Sequence, residues 1–201
     1  MGVTRGVGVK IGGIDAYVAY VSASQINVLT PNVGFGPLQV TVTNPAGTSN
    51  AVTISSQQDT PGLFEWPTGC TANCQPVATH NDANFSYAVA NGTIAGLVTV
   101  AAKPGETIIL WGSGFGPTNP AYPFGVAVPA STFGTSSNVT ASLNGTPLVV
   151  YQNQAFLTSA NAGLYQIGIT VPAGLANGTY PLSVTIGGVT TPNSLVLTVQ
   201  Q

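Results

Sequence analysis

The side chains able to do chemistry are few. One histidine, His80, stands two residues before Asp82, and serines are plentiful. A serine–histidine–aspartate relay needs an imidazole to take the serine proton and a carboxylate to orient that imidazole. Counting residues leaves such a relay open, but its usual surroundings are missing. There is no Gly-x-Ser-x-Gly elbow, and Gly112-Ser-Gly114 falls where a strand bends. His80 reads as a polar turn residue, and no residue is assigned a catalytic role. Cys70 and Cys74 are separated by Thr-Ala-Asn. Two thiols and one remote histidine do not make a four-ligand zinc set, so no metal site is assigned. A local disulfide closing a small ring is the expectation, with free thiols as the alternative. The acidic residues Asp15, Asp59, Glu65, Asp82 and Glu106 are scattered, without the Asp-x-Asp spacing of a calcium loop. Gly112, Gly114 and Gly116 imitate a dinucleotide-binding loop, but no βαβ unit follows them. An intramolecular Lys–Asn isopeptide would need Lys10 or Lys103 buried beside an asparagine and an acid. No cofactor is expected.

Binding chemistry has more candidates. Trp66, Tyr122 and Phe124 are the aromatics that could form an exposed platform, whereas Trp111 lies in a predicted strand and is expected in the core. The sequons Asn84-Phe-Ser, Asn91-Gly-Thr, Asn138-Val-Thr, Asn144-Gly-Thr and Asn177-Gly-Thr are candidate glycosylation points. Three of the five are also ordinary Asn-Gly turns.

Composition narrows the class. The chain has 201 residues with 25 Gly and 15 Pro, the vocabulary of short strands joined by turns. Charged residues make up 4% and the formal net charge is −2. Three Lys+Arg cannot neutralise many phosphates, which excludes a nucleic-acid surface. A chain so poor in charge must hide its surface, coat it with glycan, or hydrate it through Thr, Ser, Asn and Gln. Extracellular polymers and glycosylated surface proteins are natural homes for it. No apolar run approaches a membrane span of roughly 18–20 residues. The first residues lack the apolar region of a signal peptide, so a secreted chain is expected to be a mature or excised piece of a longer precursor.

Strand patterning organises these residues. Leu38, Val40 and Val42 alternate with Gln39, Thr41 and Thr43, a half-buried strand. Gln166-Ile-Gly-Ile-Thr-Val-Pro172 echoes Gln25-Ile-Asn-Val-Leu-Thr-Pro31. Around that echo an internal repeat can be laid out. Residues 11–13 match 143–145, 17–20 match 148–151, 37–42 match 181–186, and 50–54 match 193–197. The predicted fold is all-β: two tandem immunoglobulin-like β-sandwiches, the first lacking its opening strand. The expected divisions are an incomplete module over 1–56, a connector with a hairpin and a disulfide loop over 57–100, and a complete module over 101–201. Phe64 and Trp66 are expected to staple the connector to a module face.

The second module has a strand over 107–111 before its 143–145 hairpin, and the first has no counterpart. A sandwich short of a strand leaves an unpaired edge and an open core. Upstream sequence, the connector folding back, or a strand from a neighbouring subunit could fill it. The expected assembly edges are the opening stretch with Val7, Val9 and Ile11, and the terminal strand with Leu195, Leu197 and Val199.

Pro104-Gly-Glu-Thr-Ile-Ile-Leu-Trp-Gly-Ser-Gly-Phe-Gly-Pro117, Gly163-Leu-Tyr-Gln-Ile-Gly-Ile-Thr-Val-Pro172 and Val184-Thr-Ile-Gly-Gly-Val189 together resemble IPT/TIG immunoglobulin-like modules. The whole chain is similar to a C-terminal region of large secreted proteins of Solibacter-type Acidobacteria, where Ser22-Ala-Ser-Gln-Ile-Asn27 and Pro61-Gly-Leu-Phe64 have counterparts. The resemblance implies fold and an extracytoplasmic location, and brings no catalytic residue. The chain departs from that family in its missing first strand and in the Cys70/Cys74 pair.

The functional expectation is a non-enzymatic extracellular structural protein of the cell surface. It would be a filament or appendage subunit assembled through β-strand edges. Its partners would be copies of itself or neighbouring modules of a precursor, with glycans as a further class. The alternative is a terminal adhesion, carbohydrate-binding or display module of a larger secreted protein.

Overall fold

The computed structural model describes residues 6–123, 125–192 and 195–201. Phe124, one of the expected exposed aromatics, lies outside them. The fold is all-β, built from antiparallel sheets. The chain forms two compact units: one holds the residues up to Gln58 together with those of 123–127, and the other holds 59–122 and 128–201. The expected connector 57–100 therefore belongs, almost whole, to the second unit.

In the first unit, β1 (Gly8–Ile11) turns at Gly12-Gly13 and returns through Ile14–Asp15. Both turn glycines have positive φ, which a two-residue hairpin of this hand requires. β2 (Tyr17–Val21) pairs with β3 (Ile26–Leu29) as a separate two-stranded sheet, with a register shift between Val18 and Tyr20. β4 (Gly36–Asn44) pairs with β1 on one side and β5 (Val52–Ser56) on the other. Only Val9 and Ile11 of its described hydrophobic side chains are fully buried.

The second unit opens with Gly62–Leu63, Glu65–Trp66 and Gln75–Pro76, then β6 (Ala78–His80) and β7 (Thr107–Ser113). β8 (Val139–Leu143) turns at Asn144-Gly145, both at positive φ. β9 (Val149–Val150), β10 (Phe156–Leu157), β11 (Tyr165–Thr170), β12 (Gly178–Ile186) and β13 (Val196–Val199) follow. One sheet carries β6, β7, β11 and β10, with β9 also on β11; the other carries β8, β12 and β13. The apolar positions of each strand alternate, so Ile108, Leu110, Ile167, Ile169, Leu182, Val184, Ile186 and Leu197 bury completely or nearly so.

The repeat holds at the level of individual hydrogen bonds. The Val42 N–H donates to Ser49 Oγ at 3.1 Å, and the Val184 N–H donates to Thr191 Oγ1 at 3.1 Å. The Ser49 N–H returns to the Val42 carbonyl, as Thr191 does to Val184. Val42 is thus the counterpart of Val184, and Val40 of Leu182. The match of 37–42 with 181–186 is two residues out. The Pro-Leu-x-Val-Thr likeness suggested it, but the turn and its hydroxyl hook set the register. Tyr17 faces Leu29 as Val149 faces Thr170, one residue from the expected match. The pairings Gly36↔Ser56 and Gly178↔Val199 make Ser56 the counterpart of Val199, as expected.

Candidate functional site

The expected assembly edges are not open. β1 is paired along β4 on one side, with the Ile14–Asp15 hairpin and the Ala16 N–H to Val9 carbonyl bond on the other. Val9 and Ile11 face inward and are buried, and Val7 is half-buried. β13 pairs with β12, while its other edge meets two short parallel bridges, Cys74↔Leu195 and Ala102↔Val199. The Val196 N–H donates to the Cys74 carbonyl and the Gln200 N–H to the Ala102 carbonyl, both at 2.9 Å. Leu195, Leu197 and Val199 are accordingly buried.

The open edges lie elsewhere. Among the described residues β3 pairs only with β2, and β5 only with β4. In the second unit the counterpart of β3 is β11, whose corresponding edge is covered by six residue pairs with β7, from Thr107↔Thr170 to Gly112↔Tyr165. The counterpart of β5 is β13, covered as just described. Val52 and Ile54 are 63% and 38% exposed, whereas their counterparts Leu195 and Leu197 are 3% and 0% exposed. Ile26 and Val28 are half-buried where Ile167 and Ile169 are fully buried.

Two sequence motifs meet at the end of β7. Gly62–Leu63 pairs with Gly112 and Ser113, and the Thr60 N–H donates to the Gly114 carbonyl at 2.9 Å. A Cβ at Gly112 would collide with the Gly62 carbonyl oxygen, and one at Gly114, at φ +77°, with that of Thr60. The glycines are bend residues that admit Pro61-Gly-Leu-Phe64 against the strand. Beside them Asp59 is buried, its Oδ1 without a hydrogen-bond partner. Burial pushes its pKa up. Tyr165 donates from its hydroxyl to the Gly116 carbonyl at 2.6 Å, and burial, then the Asp59 charge, push its pKa up to about 12.

His80 does not join Asp82 in a relay. Its Nδ1 lies 3.2 Å from Glu106 Oε2 and its Nε2 3.1 Å from the Val100 carbonyl, so both ring nitrogens are engaged. Asp82 caps its own loop, accepting from the Ser86 hydroxyl at 2.6 Å and from the Asn84 and Ser86 N–H groups. Those bonds, the Ser86 hydroxyl first, hold the Asp82 carboxyl below its usual range. Cys70 and Cys74 form a disulfide. Lys10 pairs with Asp15 at 2.8 Å on the exposed hairpin. Among the described residues no cluster of three or more metal-ligating side chains occurs, and no helix is long and apolar enough to cross a membrane.

The aromatics rearrange the expected platform. Tyr122 is half-buried, its ring 4.5 Å from that of Phe133 and packed on the core, so it is not an exposed binding residue. Trp66 is half-buried with its ring 5.9 Å from Tyr87, a contact within the expected connector rather than the expected staple to a module face, while Phe64 stays exposed. Trp111, expected in the core, lies on the outer face of β7, because Ile108 and Leu110 take the inward positions. Its Nε1–H donates to Thr79 Oγ1 at 3.0 Å, and its ring is 6.2 Å from Phe85. Directly opposite stands Gln166, and beyond it Phe156, whose ring is 5.8 Å from Tyr151. Asn84, Asn91, Asn138, Asn144 and Asn177 are all exposed.

No family model matches this chain and no curated protein matches it. A solved structure, the Bacteroides ovatus mixed-linkage glucan utilization locus SGBP-B in complex with a mixed-linkage heptasaccharide, is similar over 100% of this chain and 39% of its own, at 13% identity and a TM-score of 0.35. A likeness of that size lends this chain neither a ligand nor a role.

Proposed function

We propose that the chain is a non-enzymatic extracellular structural protein of IPT/TIG-like modules, a subunit of a surface filament or appendage joined through β-strand edges. The observation that supports this reading is the pair of edges, β3 and β5, that no other described strand covers, in a unit whose repeat partner has both covered. Exposed main-chain donors and acceptors beside exposed apolar side chains favour strand addition. The scarcity of charge and the internal disulfide accord with an extracellular setting. Negative-stain electron microscopy of the protein isolated without denaturation tests it. Filaments with an axial repeat of about one chain length are expected; dispersed single particles would remove the reading.

A second reading, a glycan-binding surface module, is favoured by the outer face of β7 and β11. Trp111, Phe85, Gln166 and Tyr151, the last backed by the buried Phe156, form an aromatic and amide row without a charged side chain. Such a row suits stacking on neutral sugar rings. Affinity electrophoresis through neutral polysaccharides is expected to show retardation that Trp111→Ala weakens by about tenfold. Equal mobility of the two proteins in every gel would exclude this face as the site.

A further inference from the structure

We infer that the Cys70–Cys74 disulfide is a redox-sensitive latch on the outer edge of β13, and that its oxidation state sets whether the second unit shows a bare strand edge. The inference concerns the second unit alone and does not depend on the filament reading. The outward N–H groups of β13 are those of Val196, Thr198 and Gln200, and each meets an acceptor. The Cys74 carbonyl takes the first and the Ala102 carbonyl the third, both at 2.9 Å. A side chain takes the middle one. The Thr198 N–H donates to Gln75 Oε1 at 3.3 Å, and Gln75 Nε2 donates to Thr198 Oγ1 at 3.0 Å. The carboxamide stands in for the peptide group of a neighbouring strand. Capped in this way, the edge offers no free donor to another chain.

Two of the three caps come from the adjacent residues Cys74 and Gln75, and little besides the disulfide ring orders them. Gln75 and Pro76 pair with Trp66 and Glu65 over two residues. The Cys70 N–H donates to the Pro67 carbonyl, within the same loop. Thr71, Ala72 and Asn73 are exposed, and Asn73 sits at φ +53°. Once the ring is open, residues 67–74 regain backbone freedom that the closed ring denies them. Cys74 is fully buried and Cys70 half-buried, so an incoming thiolate attacks Cys70 Sγ. The S–S bond breaks, a mixed disulfide forms on Cys70, and the Cys74 sulfur leaves as a thiolate and takes a proton. The second thiol of a dithiol reductant then displaces Cys70, which is protonated in turn, and the reductant closes its own disulfide. Two electrons and two protons pass to the ring. The Cys74 and Gln75 caps then lift from β13 while the Ala102 cap stays. Most of that edge is left as bare as that of its counterpart β5, which no described strand covers on that side.

The test is amide hydrogen exchange of the full chain with and without dithiothreitol under native conditions, with free thiols counted by alkylation. Both cysteines should become alkylated, and the Val196 and Thr198 amides should exchange at least about tenfold faster. Gln200 and the β11 amides of Tyr165–Thr170 should keep their rates. Cys70→Ser, which opens the ring and leaves buried Cys74 in place, should give the same pattern without reductant. Gln75→Leu, which keeps the ring, should speed Thr198 alone. A ring that stays oxidised in the folded chain would overturn the proposal. So would unchanged rates at Val196 and Thr198 after reduction. Equal acceleration at Gln200 or over Tyr165–Thr170 would also overturn it, since the disulfide would then brace the whole unit rather than latch one edge.

Discussion

Asp59 holds its position at a cost. It is buried with an orphaned carboxylate oxygen, beside a backbone turn that only glycine permits: Gly187 has φ +56°, and a Cβ there would strike Asp59 Oδ2. An unsatisfied buried polar atom costs about 1–3 kcal/mol. Burial raises the pKa above the model-peptide value of 3.8, so the folded state holds the proton more tightly than the unfolded one. Stability from this group is therefore fully present below the unfolded pKa and is lost as pH rises through the folded pKa. Asp59→Asn removes the charge and keeps the shape. The variant is expected to gain about 1 kcal/mol at pH 7, a rise of about 2–4 °C in Tm, and to gain nothing near pH 3. Thermal melts of both proteins at the two pH values check it, and an equal shift at both would refute the burial account. Tyr165 shares this corner: its hydroxyl donates to the Gly116 carbonyl and its pKa feels the Asp59 charge.

At the scale of elements, much was legible and the misses have causes. Period-2 alternation located β4, β11 and β12, because a half-buried strand writes its faces into its sequence. It misplaced Trp111 because Ile108-Ile-Leu-Trp111 is a continuous apolar run, which does not say which side faces the core. The repeat was legible, but its register along β4 was not. Identity at Pro37-Leu38 drew the alignment two residues away from the match that Ser49 and Thr191 enforce through their hydroxyls. β13 looked like a free edge because its outer neighbours, Cys74 and Ala102, touch it through isolated bridges that no strand pattern announces. The Cys70–Cys74 ring makes sense in that light. It closes a short loop at the residue that bridges Leu195, so the disulfide fixes a segment that backbone pairing alone holds by a few bonds. The Pro61-Gly-Leu-Phe64 and Gly112-Ser-Gly-Phe-Gly motifs each stood out in the sequence. That they dock on one another followed only from the glycines' missing Cβ atoms.

For the whole molecule, the division of the core decides behaviour on heating. The contiguous buried cluster lies wholly within the second unit, from Leu63 to Val199. The first unit contributes Val9 and Ile11 to the fully buried hydrophobic set and leaves Val52, Ile54, Tyr20 and Phe35 exposed. A small unit has little surface to bury at best, and each large aliphatic left in water forgoes about 1.5–3 kcal/mol. Backbone ordering costs the same per residue in both units, so the first has the smaller surplus. Calorimetry of the chain is therefore expected to show two transitions, the first unit melting at least about 10 °C below the second. Native-state hydrogen exchange should agree, with the amides of β3 and β5 opening at free energies far below those of β7 and β11. A single transition whose calorimetric and van't Hoff enthalpies coincide would contradict this. It would mean that the bare edges of the first unit are no source of weakness, and the case for a missing strand would lose its thermodynamic ground. If the two transitions are found, the sharper consequence is that the lower one alone should climb when β3 and β5 gain a strand by assembly, since a partner stabilises only the unit that binds it.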